Sequence, residues 1–420
     1  MFYLAKKMEI WWLHFLLVVL MSSTMLADMG RQKGNIKAAL NFSHMENIRP
    51  SNFTPFDHCE TAVVPPSSLD IPEYIINLDL PPRERWRKLV QDKKEGIITL
   101  IENMKNNSDL LFGKSVFWMV DHVLPLLTKT LPKEYREELI GISEATGVGI
   151  GEITLFNVFY EFFSACTSIV AQSDSGVMFH GRNLDFGLFL GWDPLNHTWQ
   201  TTSLLKPLVV QLRFVRGNNT VYRAVNYAGY TGVLTALKPK KFTLTIDERF
   251  RINGGYVGII EWISGMRNQQ WIGFLTRQVM EKCNSFTCAQ KMLAKPSLVA
   301  PVYFILSGIS SKEGCIITRG RNSFNIWPLG QKQKKQMGNW FLVQTNFDQW
   351  RDPPFYDDRR NPAIHCMDQL GNKDVPQSLV NVLSTRPVLN KLTTYTAVMS
   401  AEKDMLKVWI QSCPDPCWPW

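Results

Sequence analysis

The chain has 420 residues, of which 45% are hydrophobic and 20% are charged, so it can bury a large core and is not a disordered protein. Its formal net charge of +9 suits approach to acidic surfaces such as anionic lipid. Nucleic acid is disfavoured as a partner, because the basic residues are scattered and no zinc-finger or RNA-binding motif occurs.

Residues 1–27 have the pattern of a secretory signal peptide. Lys6 and Lys7 precede an apolar run at 10–20, and small residues then lead to a predicted cut after Ala27. The apolar run is short for a helix that crosses a bilayer, which disfavours an uncleaved anchor. We therefore predict that the chain is exported.

The cysteine content and the glycosylation sequons are consistent with export. The chain has eight cysteines, which fits an oxidising compartment. Cys413 and Cys417 enclose a short loop that two prolines can bend into disulfide geometry, whereas Cys283 and Cys288 fit either a disulfide or two thiols on one helix. We predict glycosylation at the Asn-x-Ser/Thr sequons Asn41, Asn52, Asn106, Asn196 and Asn218.

The predicted elements begin with a polar segment, 28–68, which is rich in turn formers and reads as a flexible lead-in. From 81 to 163 the apolar residues recur at helical spacing, so this half of the chain is predicted to be mainly α. Two short runs, 167–171 and 177–182, then flank a turn that contains Gly176 and predict a β-hairpin.

Strand patterns dominate the rest of the chain, apart from one stretch of helical periodicity. They predict a second hairpin at 208–215 and 220–226, a strand at 241–246, helical structure over 262–293, and strands at 302–306, 315–318 and 340–346. Helices and antiparallel hairpins in this order indicate an α+β fold with two sheets covered by helices.

Cys166 lies where the helical half gives way to the strands. A cysteine at the first position of a buried strand can act as a nucleophile, and cleavage of the Ala165–Cys166 bond would free its α-amino group to act as the base. We expect Arg182, on the return strand of the hairpin, and Asp185, in the turn after it, to reach the start of the first strand. Asn346 ends a later strand.

Seven segments closely resemble the acid ceramidase family, which are cysteine-type amidases of the N-terminal nucleophile hydrolases. The likeness runs from about Ile75 to the C-terminus and is looser before it. The segments are Cys-Thr-Ser-Ile-Val-Ala at 166–171, His-Gly-Arg-Asn-Leu-Asp-Phe at 180–186, Asp-Glu-Arg at 247–249, Ile-Asn-Gly-Gly-Tyr at 252–256, Gln-Thr-Asn at 344–346, Asp-Asp-Arg-Arg at 357–360 and Cys-Pro-Asp-Pro-Cys at 413–417.

The resemblance implies an αββα sandwich, made as a precursor that cuts itself between Ala165 and Cys166. The products would be a helical α-subunit, 28–165, and a larger β-subunit, 166–420, which carries the catalytic core. Carried over by position, Cys166 is the nucleophile. Its companions in the active site are Arg182, Asp185, Glu248, Asn346 and Arg359.

The resemblance also implies how the cysteines pair. Cys59 would form a disulfide with Cys366 and tie the two subunits together, Cys413 would pair with Cys417, and Cys315 would stay a free thiol. No metal and no organic cofactor is implied.

The predicted roles follow from elementary chemistry. Cys166 attacks the Ala165 carbonyl in an N-to-S acyl shift, and afterwards attacks the amide of a substrate. Asn346 can donate its side-chain amide to the developing oxyanion. Asp185 can hold the ammonium group or the thiol proton, and Arg182 can hold Asp185 or the substrate carbonyl.

The function that the resemblance implies is hydrolysis of N-acylsphingosine to sphingosine and a free fatty acid, in the lysosome, at an anionic membrane surface and with help from a saposin-type lipid-presenting protein. Two alternatives stay open, an N-acylethanolamine-hydrolysing acid amidase and a non-catalytic lipid-binding protein. A papain-like protease is disfavoured, because the Cys-Gly-Ser-Cys-Trp signature does not surround Cys166.

Overall fold

The computed structural model describes residues 56, 58–61, 71–112, 124–187, 191–249 and 255–417. The predicted signal peptide, most of the predicted flexible lead-in and the first two sequons, Asn41 and Asn52, lie outside the described residues. The other three sequon asparagines, Asn106, Asn196 and Asn218, are exposed. Glycosylation at these three sites stays a prediction.

The half of the chain that was predicted to be helical is helical. Pro132 precedes helix α4 and Gly147, at φ +76°, ends it with a bond from its N–H to the Ser143 carbonyl. No helix in the described ranges is long and apolar enough to cross a membrane. The helices of this half are α1 (Arg87–Asp92), α2 (Lys94–Phe112), α3 (Leu124–Thr130), α4 (Lys133–Thr146) and α5 (Ile150–Phe163), preceded by a 3-10 turn at Pro82–Glu84.

A large sheet of eight strands forms one layer. Its order is β1-β6-β7-β8-β9-β10-β11-β12. The strands are β1 (Glu73–Asn77), β6 (Val209–Arg216), β7 (Asn219–Tyr227), β8 (Thr235–Lys238), β9 (Phe242–Glu248), β10 (Val302–Ser307), β11 (Gly314–Arg319) and β12 (Phe324–Pro328). Strand β1, which sequence patterns did not predict, pairs in parallel with β6, so the segment before Cys166 contributes an edge strand to this sheet.

A smaller sheet of five strands forms the second layer, in the order β13-β2-β3-β14-β15. Its centre is the predicted hairpin, with Gly176 at φ +88° in the turn, where a glycine avoids the strain that other residues would have. Its strands are β2 (Ser164–Gln172), β3 (Met178–Phe186), β13 (Phe341–Gln344), β14 (Thr393–Ser400) and β15 (Met405–Ile410); β4 (Trp192–Asp193) and β5 (Thr198–Trp199) form a separate two-stranded ribbon.

Successive residues of β2 show how the layers stack. Val170 packs in a core between the two sheets with Tyr303 and Ile305 of β10, while Ile169 packs with Leu379 in the core under the C-terminal helices. Successive strand residues point to opposite faces, so both faces of the five-stranded sheet are covered. Helices α10 (Arg360–Leu370) and α11 (Val375–Ser384) cover its outer face, and α8 (Ile272–Lys282) and α9 (Phe286–Ala294) pack on the eight-stranded sheet. The predicted αββα sandwich is confirmed.

The periodicity predicted over 262–293 belongs to separate helices rather than to one. The remaining helices are α6 (Gln200–Leu205), which leads into a 3-10 turn at Lys206–Leu208, and α7 (Gly255–Ile263). Cys283 ends α8 and Cys288 lies in the first turn of α9, and the two form a disulfide, which settles the open choice between a pair and two thiols on one helix.

Two further disulfides match the resemblance. Cys59 is bonded to Cys366, which joins the segment before Cys166 to helix α10. Cys413 is bonded to Cys417. Cys315 is a buried thiol on β11 that accepts a hydrogen bond from the Gln290 side chain at 3.4 Å. In the described part of the chain, both predicted subunits belong to one compact unit.

Candidate active site

Cys166 is fully buried near the start of the hairpin. Helix α5 runs directly into β2, and the strand begins two residues earlier than expected, because Ser164 and Ala165 already pair with Phe186 and Asp185 of β3. The prediction that Cys166 is the first residue of the strand is therefore wrong. The Ala165–Cys166 bond lies inside a regular, hydrogen-bonded strand of the uncut chain.

Each polar atom of Cys166 meets a predicted site residue. Arg182 Nη2 lies 2.8 Å from the Cys166 sulfur. The Cys166 N–H donates to Asn346 Oδ1 at 2.9 Å, and the Cys166 carbonyl accepts from Arg359 Nη1 at 2.6 Å. Three side chains from three separate elements thus converge on one residue.

Arg182 reaches the thiol because of its position on the neighbouring strand. It pairs in register with Ser168, which shares a face of β2 with Cys166. The guanidinium is fully buried, and its Nη1 donates to the Leu234 carbonyl at 2.7 Å. We expected Arg182 to hold Asp185 or a substrate carbonyl, whereas the structure places its guanidinium on the sulfur.

Asp185 lies within strand β3 and not in a turn after it, so the expectation of a turn there is wrong. Because it is three residues from Arg182, its side chain points to the opposite face of the sheet. There it accepts hydrogen bonds from Thr393 Oγ1 at 2.7 Å and Asn390 Nδ2 at 3.0 Å, and it pairs with Arg359 at 3.3 Å. Burial raises the pKa of Asp185, and Arg359, Thr393 and Asn390 offset this only in part.

Asn346 and Glu248 meet at the ends of two strands. Asn346 follows β13, and its Nδ2 donates to the backbone carbonyl of Glu248, the last residue of β9, at 2.8 Å. Glu248 therefore enters this network through its main chain. An ion pair beside them also joins the two strand ends, since Arg249 donates from Nε and Nη2 to both oxygens of Asp348, at 2.7 and 2.9 Å.

Arg359 joins the parts of the site. It precedes α10, is 3% exposed, and donates to the Cys166 carbonyl, to Asp185 and, at 2.6 Å, to Asn346 Oδ1. Its Nε also donates to Asp357 at 2.7 Å. Burial alone would lower the pKa of Arg359, but the carboxylates of Asp357 and Asp185 raise it above its ordinary value. The site thus contains a permanent buried cation beside the peptide group of Cys166.

All six predicted residues lie in one hydrogen-bonded network, buried except at the partly buried Glu248, and some of its members were missed. Asp357 lies in the 357–360 segment that carried the resemblance, and that segment was the signal for it. Asn390 and Thr393 are 205 and 208 residues from Asp185 in the chain, and no motif marked them.

Two family models match parts of this chain in sequence. The sequence model of the choloylglycine hydrolase family of linear amide C–N hydrolases matches residues 166–371, and that of the beta subunit of N-acylethanolamine-hydrolyzing acid amidase matches residues 70–131. A solved N-acylethanolamine-hydrolyzing acid amidase ortholog from Caenorhabditis elegans is 32% identical, covers 59% of this chain and all of its own, and superposes with a TM-score of 0.49.

Curated relatives match over most of their length. Acid ceramidase of Homo sapiens is 46% identical over 372 residues, 87% of this chain and 93% of the relative. Acid ceramidase of Mus musculus is 42% identical over 393 residues, 92% of this chain and 98% of the relative. The resemblance drawn from the seven segments is confirmed, and the chain belongs to the acid ceramidase family.

Proposed function

We propose that this chain hydrolyses N-acylsphingosine to sphingosine and a free fatty acid, with Cys166 as the nucleophile. The observation that carries the proposal is the contact of Arg182 Nη2 with the buried Cys166 sulfur at 2.8 Å, in a chain that belongs to the acid ceramidase family. A guanidinium beside a thiol favours the thiolate, which is the reactive form.

Activation begins when the Cys166 sulfur attacks the Ala165 carbonyl carbon. The thiol proton passes to the leaving nitrogen, and the acyl group moves from nitrogen to sulfur. Water then hydrolyses the thioester, leaving a carboxylate on Ala165 and a thiol and a free α-amine on Cys166. Support comes from Asn346 and Arg359, which hold the N–H and the carbonyl of Cys166.

Hydrolysis of the substrate uses the same atoms. The α-amine accepts the thiol proton and the sulfur attacks the amide carbonyl. The C–N bond then breaks as the ammonium returns that proton to the sphingosine nitrogen, which leaves the fatty acyl group on Cys166; water then hydrolyses the thioester to the free acid and the thiol. Asn346 donates to the oxyanion, a contact whose loss typically costs about 100- to 1000-fold in rate. Arg359 and Glu248 position Asn346 through the contacts described above.

The surrounding charges suit work in an acidic lumen. An ordinary α-amine would be protonated there, but the buried cations Arg182 and Arg359 beside Cys166 favour the neutral amine. Asp185, paired with Arg359, keeps that cation in place. These charges therefore help to keep the α-amine of Cys166 neutral, and able to accept a proton, in acid.

The proposed setting is the lysosome. The predicted signal peptide, the sequons and the disulfides all fit the secretory pathway. The substrate lies in a membrane, and the net charge of +9 favours docking on anionic vesicles. A saposin-type protein would lift the lipid out of the bilayer.

A direct substrate competition tests the proposal. Purified, self-cleaved protein is incubated with N-palmitoylsphingosine and with N-palmitoylethanolamine, and the released palmitate is measured. We expect faster turnover of the sphingosine amide. The match of residues 70–131 to the beta subunit of N-acylethanolamine-hydrolyzing acid amidase favours the second substrate, so faster turnover of the ethanolamine amide would establish the alternative.

The self-cleavage has its own test. The reduced and deglycosylated protein is weighed by intact-mass spectrometry, and the larger fragment is sequenced from its N-terminus. We expect Cys166 as its first residue. A fragment that begins at any other residue overturns the activation step.

A further inference from the structure

A chain of buried polar side chains crosses the gap between the two sheets beside Cys166. Ser168 Oγ donates to Asp247 Oδ1 at 2.8 Å and lies 2.8 Å from Thr245 Oγ1. His180 Nε2 lies 3.0 Å from Thr245 Oγ1, and its Nδ1 lies 2.8 Å from Thr243 Oγ1. Each group can donate to the next, from His180 through Thr245 and Ser168, so this series of hydrogen bonds ends on the carboxyl of Asp247.

Asp247 faces the candidate site from the opposite sheet. Its partner Ser168 shares a face of β2 with Cys166 and pairs in register with Arg182. Asp247 also precedes Glu248, whose carbonyl holds the Asn346 side chain. The charge of Arg182 acts on Asp247 as well as on the Cys166 sulfur.

The surroundings of Asp247 fit a neutral acid better than a carboxylate. Asp247 is fully buried, and within the described residues its Oδ2 has no hydrogen-bond partner. Burial raises the pKa of Asp247 from its ordinary value of 3.8 to about 7, although Arg182 and Ser168 pull it down. Its proton is therefore held in acid and lost close to neutrality.

We propose that Asp247 is a positioning residue for the nucleophile. As a neutral acid it leaves the Arg182 cation to stabilise the Cys166 thiolate, and as a carboxylate it competes with the thiolate for that cation. This inference rests on the proposed function, in which Cys166 is the nucleophile. On this inference, Arg182 activates Cys166 most strongly in acid. The group that senses pH is Asp247, which lies on the opposite sheet from the sulfur.

The guanidinium groups of Arg182 and Arg359, which also act on Asp247, stay charged, and three further ionisable side chains nearby keep their charge state between acid and neutrality. Burial and the charge of Arg182 lower the pKa of His180 to about 3, so its ring stays neutral. Burial raises the pKa of Tyr395, on β14, to about 12 and also raises that of Tyr303, which pairs with Asp247 across β10. Burial also raises the pKa of Asp185, which lies on the far face of β3, and the α-amine that self-cleavage frees at Cys166 is present in wild type and variants alike.

The test separates titration of Asp247 from loss of a structural contact. Self-cleaved wild type and Asp247→Asn are treated with iodoacetamide from about pH 4.5 to about pH 8, and alkylation at Cys166 is followed by peptide mapping, alongside kcat/KM for ceramide. We expect the ratio of the alkylation rate near neutrality to the rate in acid to rise by about three- to tenfold in Asp247→Asn, because the amide mimics the neutral acid at every pH.

Controls make the outcome decisive. Asp404→Asn removes a half-exposed carboxyl that pairs with Arg223, and its pH profile should match wild type. Ser168→Ala removes the hydrogen bond to Asp247 that favours the carboxylate. It should shift the pH profile of Cys166 alkylation in the same direction as Asp247→Asn does, toward higher pH, but by less. If Asp247→Asn does not fold, Ser168→Ala carries the test. An unchanged profile in both Asp247→Asn and Ser168→Ala overturns the inference.

The two proposals fail in different ways. If wild type does not hydrolyse ceramide, the proposed function is wrong, and the alkylation profile still reports on Asp247. If wild type hydrolyses ceramide and Asp247→Asn lowers the rate equally at every pH, Asp247 is structural and only this inference is wrong.

Discussion

Two of the buried charged groups in the described part of the chain differ in where their donors point. In the first, between α4 and α8, Arg277 donates from both Nη atoms to Glu138, and Arg85 and Trp86 donate to the same carboxylate at 3.0 and 2.8 Å. In the second, Arg182 and Arg359 donate to a sulfur and to a backbone carbonyl of Cys166.

The difference shows which buried charges mark a reactive site. The Glu138 group is closed, because its cations end on carboxylates and the Arg277 guanidinium lies over the rings of Trp86, Tyr135 and Phe214. At Cys166, Arg359 also pairs with carboxylates, those of Asp185 and Asp357, but Arg182 is directed at a sulfur that carries no formal charge as a thiol and becomes anionic during the proposed reaction. Burial of an ion pair alone therefore does not mark a reactive site, whereas a cation aimed at a reactive atom indicates chemistry.

The largest expected effect is at the nucleophile. Cys166→Ala should abolish both self-cleavage and hydrolysis, a loss of about four orders of magnitude or more, because no other group can form the thioester. Gel electrophoresis under reducing conditions and a palmitate-release assay measure the two losses. Cys315→Ala, which removes the buried thiol on β11, is the matched control and should still be cut. Self-cleavage of Cys166→Ala would contradict the mechanism.

The next effect concerns the side chain that serves the oxyanion. Asn346→Ala should lower kcat by about 100- to 1000-fold, with a smaller change in KM, because the contact strengthens in the transition state. Steady-state kinetics on cleaved protein measures this. Asn325→Ala, at an exposed position on β12, is the control and should behave as wild type. A change confined to KM would place Asn346 in ground-state binding instead.

The third prediction concerns the closed group. Glu138→Ala leaves Arg277 buried without its carboxylate, so we expect a loss of about 3 to 5 kcal/mol in the free energy of unfolding, measured by denaturant titration. The matched control is Glu137→Ala, which removes a partly exposed partner of Arg83 and should cost under about 1 kcal/mol. If Glu138→Ala lowers kcat without lowering stability, the contrast between the two groups is wrong.

The smallest expected effect is on stability against pH. A carboxyl whose pKa is higher in the folded chain than in the unfolded chain binds its proton more tightly in the fold, so its contribution is full in acid and is lost as pH rises. For Asp247 that loss runs from the ordinary value of 3.8 to about 7. Asp247→Asn should therefore flatten the fall in stability over this range relative to wild type, as measured by chemical denaturation. If wild type instead gains stability relative to Asp247→Asn as pH rises through this range, the assignment is wrong.

Local patterns in the chain predicted much of the fold. The hairpin around Gly176, the strands on either side of the turn at Gly217 and the helical first half all match the structure, because their signals lie within a few neighbouring residues. Strand β1 and helices α10 and α11 were missed. β1 is a short strand whose partner β6 lies far along the chain, so its pairing has no local signal.

The sequence by itself determined the family and the hairpin that carries the proposed nucleophile, since these depend on residue identity and short spacing. Only the tertiary structure decided the faces: Arg182 turns toward the thiol, Asp185 turns toward Asn390 and Thr393, and Asp247 meets Ser168 from the other sheet. The contacts of Asp185 and Asp247 join residues that lie far apart in the chain, and that of Asp247 with Ser168 exists only once two sheets have packed face to face. The charge state of a buried acid depends on that packing, because burial and neighbouring cations set its pKa.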